Sequence, residues 1–149
     1  MLQCGAVLLL LAFATVSMAA CLFPLTGNDP LEYAQAARLI YQMKSVAAYP
    51  FIEPQNTGGF YGPWTHPLGY ISLLTWSYMI QHSADVAGVA RMVAPAFTLY
   101  GMVLVGYVLR GRVLCALLGM LIFVGTPMYW EGAMLCHIDP LRICTFFGL

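Results

Sequence analysis

Residues 5–23, GAVLLLLAFATVSMAACLF, contain no charged side chain and few polar ones. A helix of this length covers the roughly 30 Å of hydrocarbon in a bilayer. The composition of the whole chain agrees, since 61% of its residues are hydrophobic, 8% are charged and the mean hydropathy is +0.79. Soluble domains carry about a quarter charged residues. The sequence therefore predicts an all-α, polytopic transmembrane protein.

A cleaved signal peptide is the rival interpretation of the first segment, because Met18-Ala19-Ala20-Cys21 resembles a lipoprotein cleavage site. The basic residues that begin such peptides are missing, so we favour a first span at residues 5–23. Because the net charge is zero, the chain has no excess of basic residues to attract the phosphate backbone of a nucleic acid. We therefore expect a membrane and its lipids as partners, and no nucleic acid.

Two further apolar runs, residues 86–109 and 113–130, are separated only by Arg110-Gly111-Arg112. Such a short connection predicts an antiparallel hairpin of two spans. A fourth run begins at residue 141 and is still apolar at residue 149. The simplest interpretation is that residues 1–149 are the amino-terminal fragment of one longer transmembrane domain, and that the fragment is inactive on its own.

Residues 68–80 decide on which side of the membrane the loops lie. The run is short for a span and contains Tyr70, Trp76 and Tyr78, which favours a re-entrant or interfacial helix. If it spanned, Arg110 and Arg112 would face outward. If it lies at the interface, both arginines are cytoplasmic, as the positive-inside rule requires. We favour this second topology, in which residues 24–85 form a long extracytoplasmic loop of a protein in the inner or plasma membrane.

Within that loop, polar and apolar residues recur at helical spacing between positions 31 and 44. This pattern predicts an amphipathic helix that lies in the interface plane. Asp29 is its predicted N-cap, and Glu32 stands three residues further on, at the capping-box spacing. Residues 49–67 are rich in Pro, Gly and aromatic side chains, which predicts a structured loop without a regular period.

The tripeptide Asp-Pro-Leu occurs twice, at residues 29–31 and 139–141. Asp before Pro is typical of a helix start, because Asp caps free N–H groups and Pro is tolerated at the first helical position. Simple capping is thus the alternative to a functional role. In the favoured topology both acids lie on the outer face, which a shared reaction site requires.

No metal or cofactor site is predicted for this segment. His66, His82 and His137 lie far apart in the sequence, and no motif with metal-ligand spacing is present. The cysteines are odd in number and three of the five lie in apolar segments, so they do not indicate a disulfide framework.

Several short motifs follow one another in a recognisable order. They are Asn28-Asp29-Pro30-Leu31-Glu32-Tyr33, Ala36-Ala37-Arg38, Thr65-His66-Pro67-Leu68-Gly69-Tyr70, Ala90-Arg91-Met92, Leu109-Arg110-Gly111-Arg112, Thr126-Pro127 and Asp139-Pro140-Leu141. This order resembles the amino-terminal part of the GT-C glycosyltransferases, the superfamily of protein O-mannosyltransferases and lipid A aminoarabinose transferases. That family often has Asp-Glu at the first acidic site and Pro-Pro in the later motif, whereas this chain has Asp29-Pro30 and a single Pro67. The departures leave the subfamily and the sugar open.

The resemblance implies a membrane glycosyltransferase that moves a sugar from a polyprenyl-phosphate donor to a lipid, glycan or protein acceptor at the extracytoplasmic face. It also implies that Asp29 activates the acceptor. A carboxylate suits that step, which needs a base, and partial desolvation at an interface would bring its pKa nearer neutrality. Asp139 is the second candidate catalytic residue, and it would orient the acceptor or support Asp29.

The candidate substrate-binding residues are Glu32, Arg38, His66, Arg91 and Arg142. A guanidinium group suits the oxygens of the departing lipid phosphate. The alternative for Arg91 and Arg142 is anchorage of a helix end at the interface, and the alternative for His66 is a local hydrogen bond within its loop.

Two other classes of function remain open on the sequence. One is a transporter or channel fragment, in which acids at the membrane border relay protons or bind cations. The other is an accessory membrane protein without catalytic activity.

Overall fold

The computed structural model describes residues 2–25, 28–47, 49, 68–134, 141–142 and 144–145. All regular structure in these residues is helical, which confirms the all-α prediction for them. The helices are α1 (Leu2–Leu22), α2 (Asn28–Met43), α3 (Leu68–Gln81), α4 (Val89–Val108), α5 (Val113–Gly125) and α6 (Pro127–Met134). The chain divides into two compact units, one of Met1–Pro24 with Ala94–Leu149 and one of Leu25–Val93.

Helices α1 and α4 are long and apolar enough to cross a bilayer. They correspond to the predicted spans 5–23 and 86–109. The apolar window of α1 has a mean hydropathy of 2.3, yet only 11% of it is buried. Leu10, Met18 and Leu22 are each more than 60% exposed. The helix thus presents apolar side chains on its outer surface, as a membrane-crossing helix does and the core helix of a soluble protein does not.

The predicted span 113–130 consists of two helices, α5 and α6, instead of one. Thr126 separates them, with an extended backbone at φ −75° and ψ 120°. The cause is Pro127, because its ring disfavours helical geometry in the residue before it, while Pro itself starts the next helix readily. The Thr126 hydroxyl donates to the Ile122 carbonyl oxygen at 2.8 Å and closes the end of α5.

Glycines allow α4 and α5 to approach closely on either side of the Arg110–Arg112 turn. A methyl group at Gly101 would lie 2.6 Å from the tip of the Phe123 ring, and one at Gly119 would lie 2.8 Å from the Leu109 side chain. The antiparallel hairpin predicted from the short connection is thus packed through positions that have no side chain.

We predict that Gly101→Ala destabilises this hairpin. The new methyl group would force the Phe123 ring aside at a cost of about 1–3 kcal/mol, which exceeds the roughly 0.5–1 kcal/mol that Ala gains over Gly inside a helix. Thermal unfolding in detergent measures the difference. Gly125→Ala is the matched control, since its methyl group would have no neighbour within 4 Å. Equal unfolding midpoints for the two variants would contradict the packing described here.

Helices α2 and α3 pack together in the unit of residues 25–93. Tyr33 of α2 meets Tyr70 of α3 edge to face at 5.3 Å, and Tyr41 meets Tyr78 in the same way at 6.2 Å. Because the contacts advance in the same direction along both helices, the two helices are parallel. The segment 68–80 that was ambiguous in the sequence is therefore a helix paired with the amphipathic α2.

The α2–α3 pairing depends on small residues of α2 and hydroxyl groups of α3. Ala34 and Ala37 are buried, so the α3 side chains reach the α2 backbone. The Tyr78 hydroxyl donates to the Ala34 carbonyl oxygen at 3.3 Å, and the Thr75 hydroxyl lies 3.4 Å from the Ala37 carbonyl oxygen. Ile71 and Leu74 of α3 are fully buried. These contacts hold α2 and α3 together.

Candidate functional site

Asp29 lies within the first turn of α2, because the helix begins one residue earlier, at Asn28. This corrects the prediction that Asp29 is the N-cap. The side chain of Asp29 itself lies outside what the structure describes. Glu32, about one turn further along α2, is partly exposed.

Arg38 connects α2 to the turn between α3 and α4. Its Nε donates to the Ala84 carbonyl oxygen at 3.0 Å, across 46 positions of the sequence. The side chain is partly buried. One N–H of the guanidinium group is therefore committed to holding the fold, and this hydrogen bond fixes the position of the group.

The turn that Arg38 contacts is a well-defined structure. His82 has φ +53°, its N–H donates to the Met79 carbonyl oxygen, and the Ser83 N–H donates to that of Tyr78. These bonds form the Schellman motif that ends many helices, with His82 at the position usually held by glycine.

The Gln81 side chain links the two ends of the same turn. Its Nε2 donates to the carbonyl oxygens of Ser83 and Asp85, and its Oε1 accepts from the N–H of Ala90 at 3.4 Å. The start of α4 is thereby fixed to the end of α3.

Arg91 stands in the first turn of α4 and is only 5% exposed. Burial of a guanidinium group costs free energy unless other groups of the protein interact with it, and Arg91 has at least one such interaction. Burial of this degree argues against the alternative that Arg91 merely anchors a helix end at a membrane surface. The residue lies within the unit of residues 25–93, as do Asp29, Glu32 and Arg38.

Four of the predicted site residues, Asp29, Glu32, Arg38 and Arg91, thus belong to the unit of residues 25–93. Comparisons of the chain with protein-family models, curated proteins and solved structures find no match. The chemistry of the site must therefore be argued from its own residues: an acid at the start of α2, a partly buried arginine in α2 and a buried arginine at the start of α4.

The remaining predicted site residues are Arg142, Asp139 and His66. Arg142 is exposed and belongs to the other unit, which contains residues 94–149. Asp139 and His66 lie outside the described residues. The prediction that the two Asp-Pro-Leu sequences share one site therefore remains a prediction.

A metal centre has no ligand set in the described part of the chain, where no three His, Cys, Asp or Glu side chains come together. The described cysteines Cys21, Cys115 and Cys144 are free thiols.

Two residues that the structure places at a turn and at a groove, Gln81 and Lys44, were not predicted from the sequence. Gln81 bonds backbone groups across the α3–α4 turn, and no motif marks such a role. Lys44 follows α2 with φ +54° and lines a groove against α3. One signal was present in the sequence, since Lys44 is the chain's single lysine and directly follows the amphipathic helix.

Proposed function

We propose that this protein is a membrane glycosyltransferase, or the amino-terminal part of one, that transfers a sugar from a polyprenyl-phosphate donor to an extracytoplasmic lipid, glycan or protein acceptor. The observation that carries the proposal is the grouping of Asp29, Arg38 and Arg91 in one compact unit, with Arg38 bonded to the fold and Arg91 buried. A base and fixed phosphate-binding cations are what this transfer requires.

The membrane topology in the proposal is polytopic. Helices α1 and α4 are the first two spans, and the exposed Arg110 and Arg112 between α4 and α5 face the cytoplasm. The α5 helix then returns toward the outer face and α6 continues beyond the break at Thr126. The paired α2 and α3 lie at the outer interface, where the polar stripe of α2 and the exposed Trp76 of α3 suit the headgroup level.

In the proposed reaction, the acceptor hydroxyl or amine attacks the anomeric carbon of the donor sugar. A bond forms between the acceptor and that carbon, the bond from the carbon to the phosphate oxygen breaks, and the polyprenyl phosphate leaves with the electron pair. Asp29 takes the proton that the acceptor loses. Arg91 and Arg38 stabilise the negative charge on the departing phosphate.

The other predicted residues have supporting roles in the proposal. Asp139 orients the acceptor or supports Asp29, Glu32 and His66 contact the substrates, and Arg142 offers a further cation for the phosphate. The roles of Asp139 and Arg142 require that these two residues lie near the start of α2.

A transfer assay tests the proposal directly. Membranes that contain the protein as its gene encodes it would receive a panel of polyprenyl-phosphate sugars labelled in the sugar. We expect label to enter the membrane acceptor fraction and unsugared polyprenyl phosphate to appear in equal amount. Absence of transfer together with a protein-dependent ion flux in sealed vesicles would instead identify a transporter or channel, and absence of both would leave an accessory protein.

A further inference from the structure

A groove of about 800 Å³ lies between the carboxyl end of α2 and one face of α3, within the unit of residues 25–93. Its volume falls in the range of roughly 300–1,000 Å³ that is typical of sites for small molecules. The groove is lined by Ile40, Tyr41, Gln42, Lys44, Ser45, Val46, Ser72, Thr75, Trp76 and Met79.

The lining of the groove is amphipathic. Ile40, Val46, Trp76 and Met79 offer apolar surface, and the polar lining groups are hydroxyls, one amide and one cation. Lys44 carries the charge, and none of the ten lining residues is acidic. A ligand with an apolar chain and an anionic head complements this surface, because Lys44 is the one charged residue of the lining.

Lys44 occupies an unusual backbone position at the end of α2. Its φ of +54° is a conformation that glycine adopts without cost and that other residues adopt rarely. His82 adopts nearly the same φ at the end of α3. At the end of α2 this conformation places a cation next to the groove, and residues with such backbone strain are found at ligand-binding positions as well as at helix ends.

The groove continues onto an apolar surface of α3. Trp76 and Met79 line the groove and are 67% and 55% exposed, and the neighbouring Ile80 is 58% exposed. Tryptophan at such a surface is typical of the level where lipid headgroups meet the acyl chains. An occupant of the groove would therefore come from the bilayer.

We propose that this groove binds one bilayer phospholipid with an anionic headgroup. The lipid phosphate contacts the Lys44 ammonium group, and an acyl chain lies against Ile40, Val46, Trp76 and Met79. The lipid is not the sugar donor, because Asp29 and Met43, the last residue of α2, are fourteen positions apart, which is about 21 Å along the axis at about 1.5 Å per residue, and Lys44 follows Met43. The lipid instead holds the α2–α3 pair at the membrane surface, whatever reaction the protein catalyses.

Native mass spectrometry of the full chain released from detergent tests this proposal, with phosphatidylglycerol and phosphatidylcholine added in separate titrations. We expect phosphatidylglycerol to bind about fivefold more tightly, which corresponds to one lysine near an anionic lipid. Lys44→Gln should remove this preference and Lys44→Arg should keep it. Arg112→Gln, which removes an exposed cation outside the groove, is the matched control and should bind like the wild type.

One further variant and two competition measurements identify the molecule that binds in the groove. Trp76→Ala should weaken the binding of both phospholipids, and inorganic phosphate at lipid concentrations should not displace phosphatidylglycerol. The proposal fails if Lys44→Gln, with unchanged helical circular dichroism, keeps the preference for phosphatidylglycerol. It also fails if inorganic phosphate competes at equal concentration, or if a polyprenyl phosphate displaces the phospholipid, which would make the groove a donor site. None of these results depends on the sugar-transfer assay.

Discussion

Replacement of Asp29 by Asn is expected to lower the rate of sugar transfer by about 10²–10⁴-fold, the usual contribution of a positioned general base. The amide has nearly the same size as the carboxylate and is also accepted near a helix start. It cannot take the proton that the acceptor loses. The protein should therefore remain folded in the membrane and bind its donor while the chemical step is lost. Initial rates at saturating donor measure the effect.

The control for Asp29→Asn is Asp85→Asn. Asp85 is an exposed acid of the same compact unit, located in the turn between α3 and α4. The control makes the same chemical change at a carboxylate that has no role in the proposed reaction, so transfer should stay within about twofold of the wild type. If Asp29→Asn transferred sugar as fast as this control, Asp29 would only be a favourable first-turn residue, with an effect of about 0.3–1 kcal/mol on helix stability.

Replacement of Arg91 by Met is expected to have the second large effect, a loss of about 1–3 kcal/mol of stability together with a loss of transfer. Arg91 is 5% exposed and interacts with other groups of the protein. Methionine fills much of the same volume but cannot make the interactions of the guanidinium group. The midpoint of thermal unfolding in detergent reports the stability.

Arg91→Lys separates the structural role of Arg91 from its proposed role toward phosphate. Lysine keeps the charge but lacks the planar fork that binds two phosphate oxygens at once. We expect this variant to be more stable than Arg91→Met and still impaired in transfer. Arg112→Met, at an exposed arginine of the α4–α5 turn, should change neither quantity. An Arg91→Met protein as stable as the wild type would show that the guanidinium group is not part of the fold.

The sequence predicted the helices well wherever hydrophobic periodicity alone determines them. The amphipathic segment predicted at residues 31–44 is α2, Asn28–Met43, and the predicted spans 5–23 and 86–109 correspond to α1 and α4. Two helix boundaries differ from the predicted ones, and local chemistry accounts for both. Pro127 breaks the third run at Thr126, and the start of α2 at Asn28 moves Asp29 from the cap into the first turn.

Much of the candidate site could not be predicted, because it depends on contacts between residues that are distant in the sequence. The hydrogen bond from Arg38 to Ala84 joins positions with no shared motif. The burial of Arg91 follows from packing, and its residue type indicates the opposite, since arginine is mostly exposed in proteins. The groove at Lys44 exists only because α2 and α3 are parallel, which hydrophobic periodicity does not determine.

We propose that both Asp-Pro-Leu sequences face the outside of the membrane, and labelling of Cys136 is the most direct test of this topology. Cys136 lies three positions before Asp139. The variant would keep Cys136 as its only cysteine, and a membrane-impermeant maleimide would be added to intact cells. Reaction in detergent confirms that the thiol is accessible.

The matched control carries Gly111→Cys as its only cysteine, in the Arg110–Arg112 turn where a new side chain meets no neighbour within 4 Å. We predict that Cys136 is labelled from outside and that the cysteine at position 111 is labelled only after the cells are permeabilised. If Cys136 were labelled only from the cytoplasmic side, Asp139 would lie at the cytoplasmic face, which contradicts the proposed outer site.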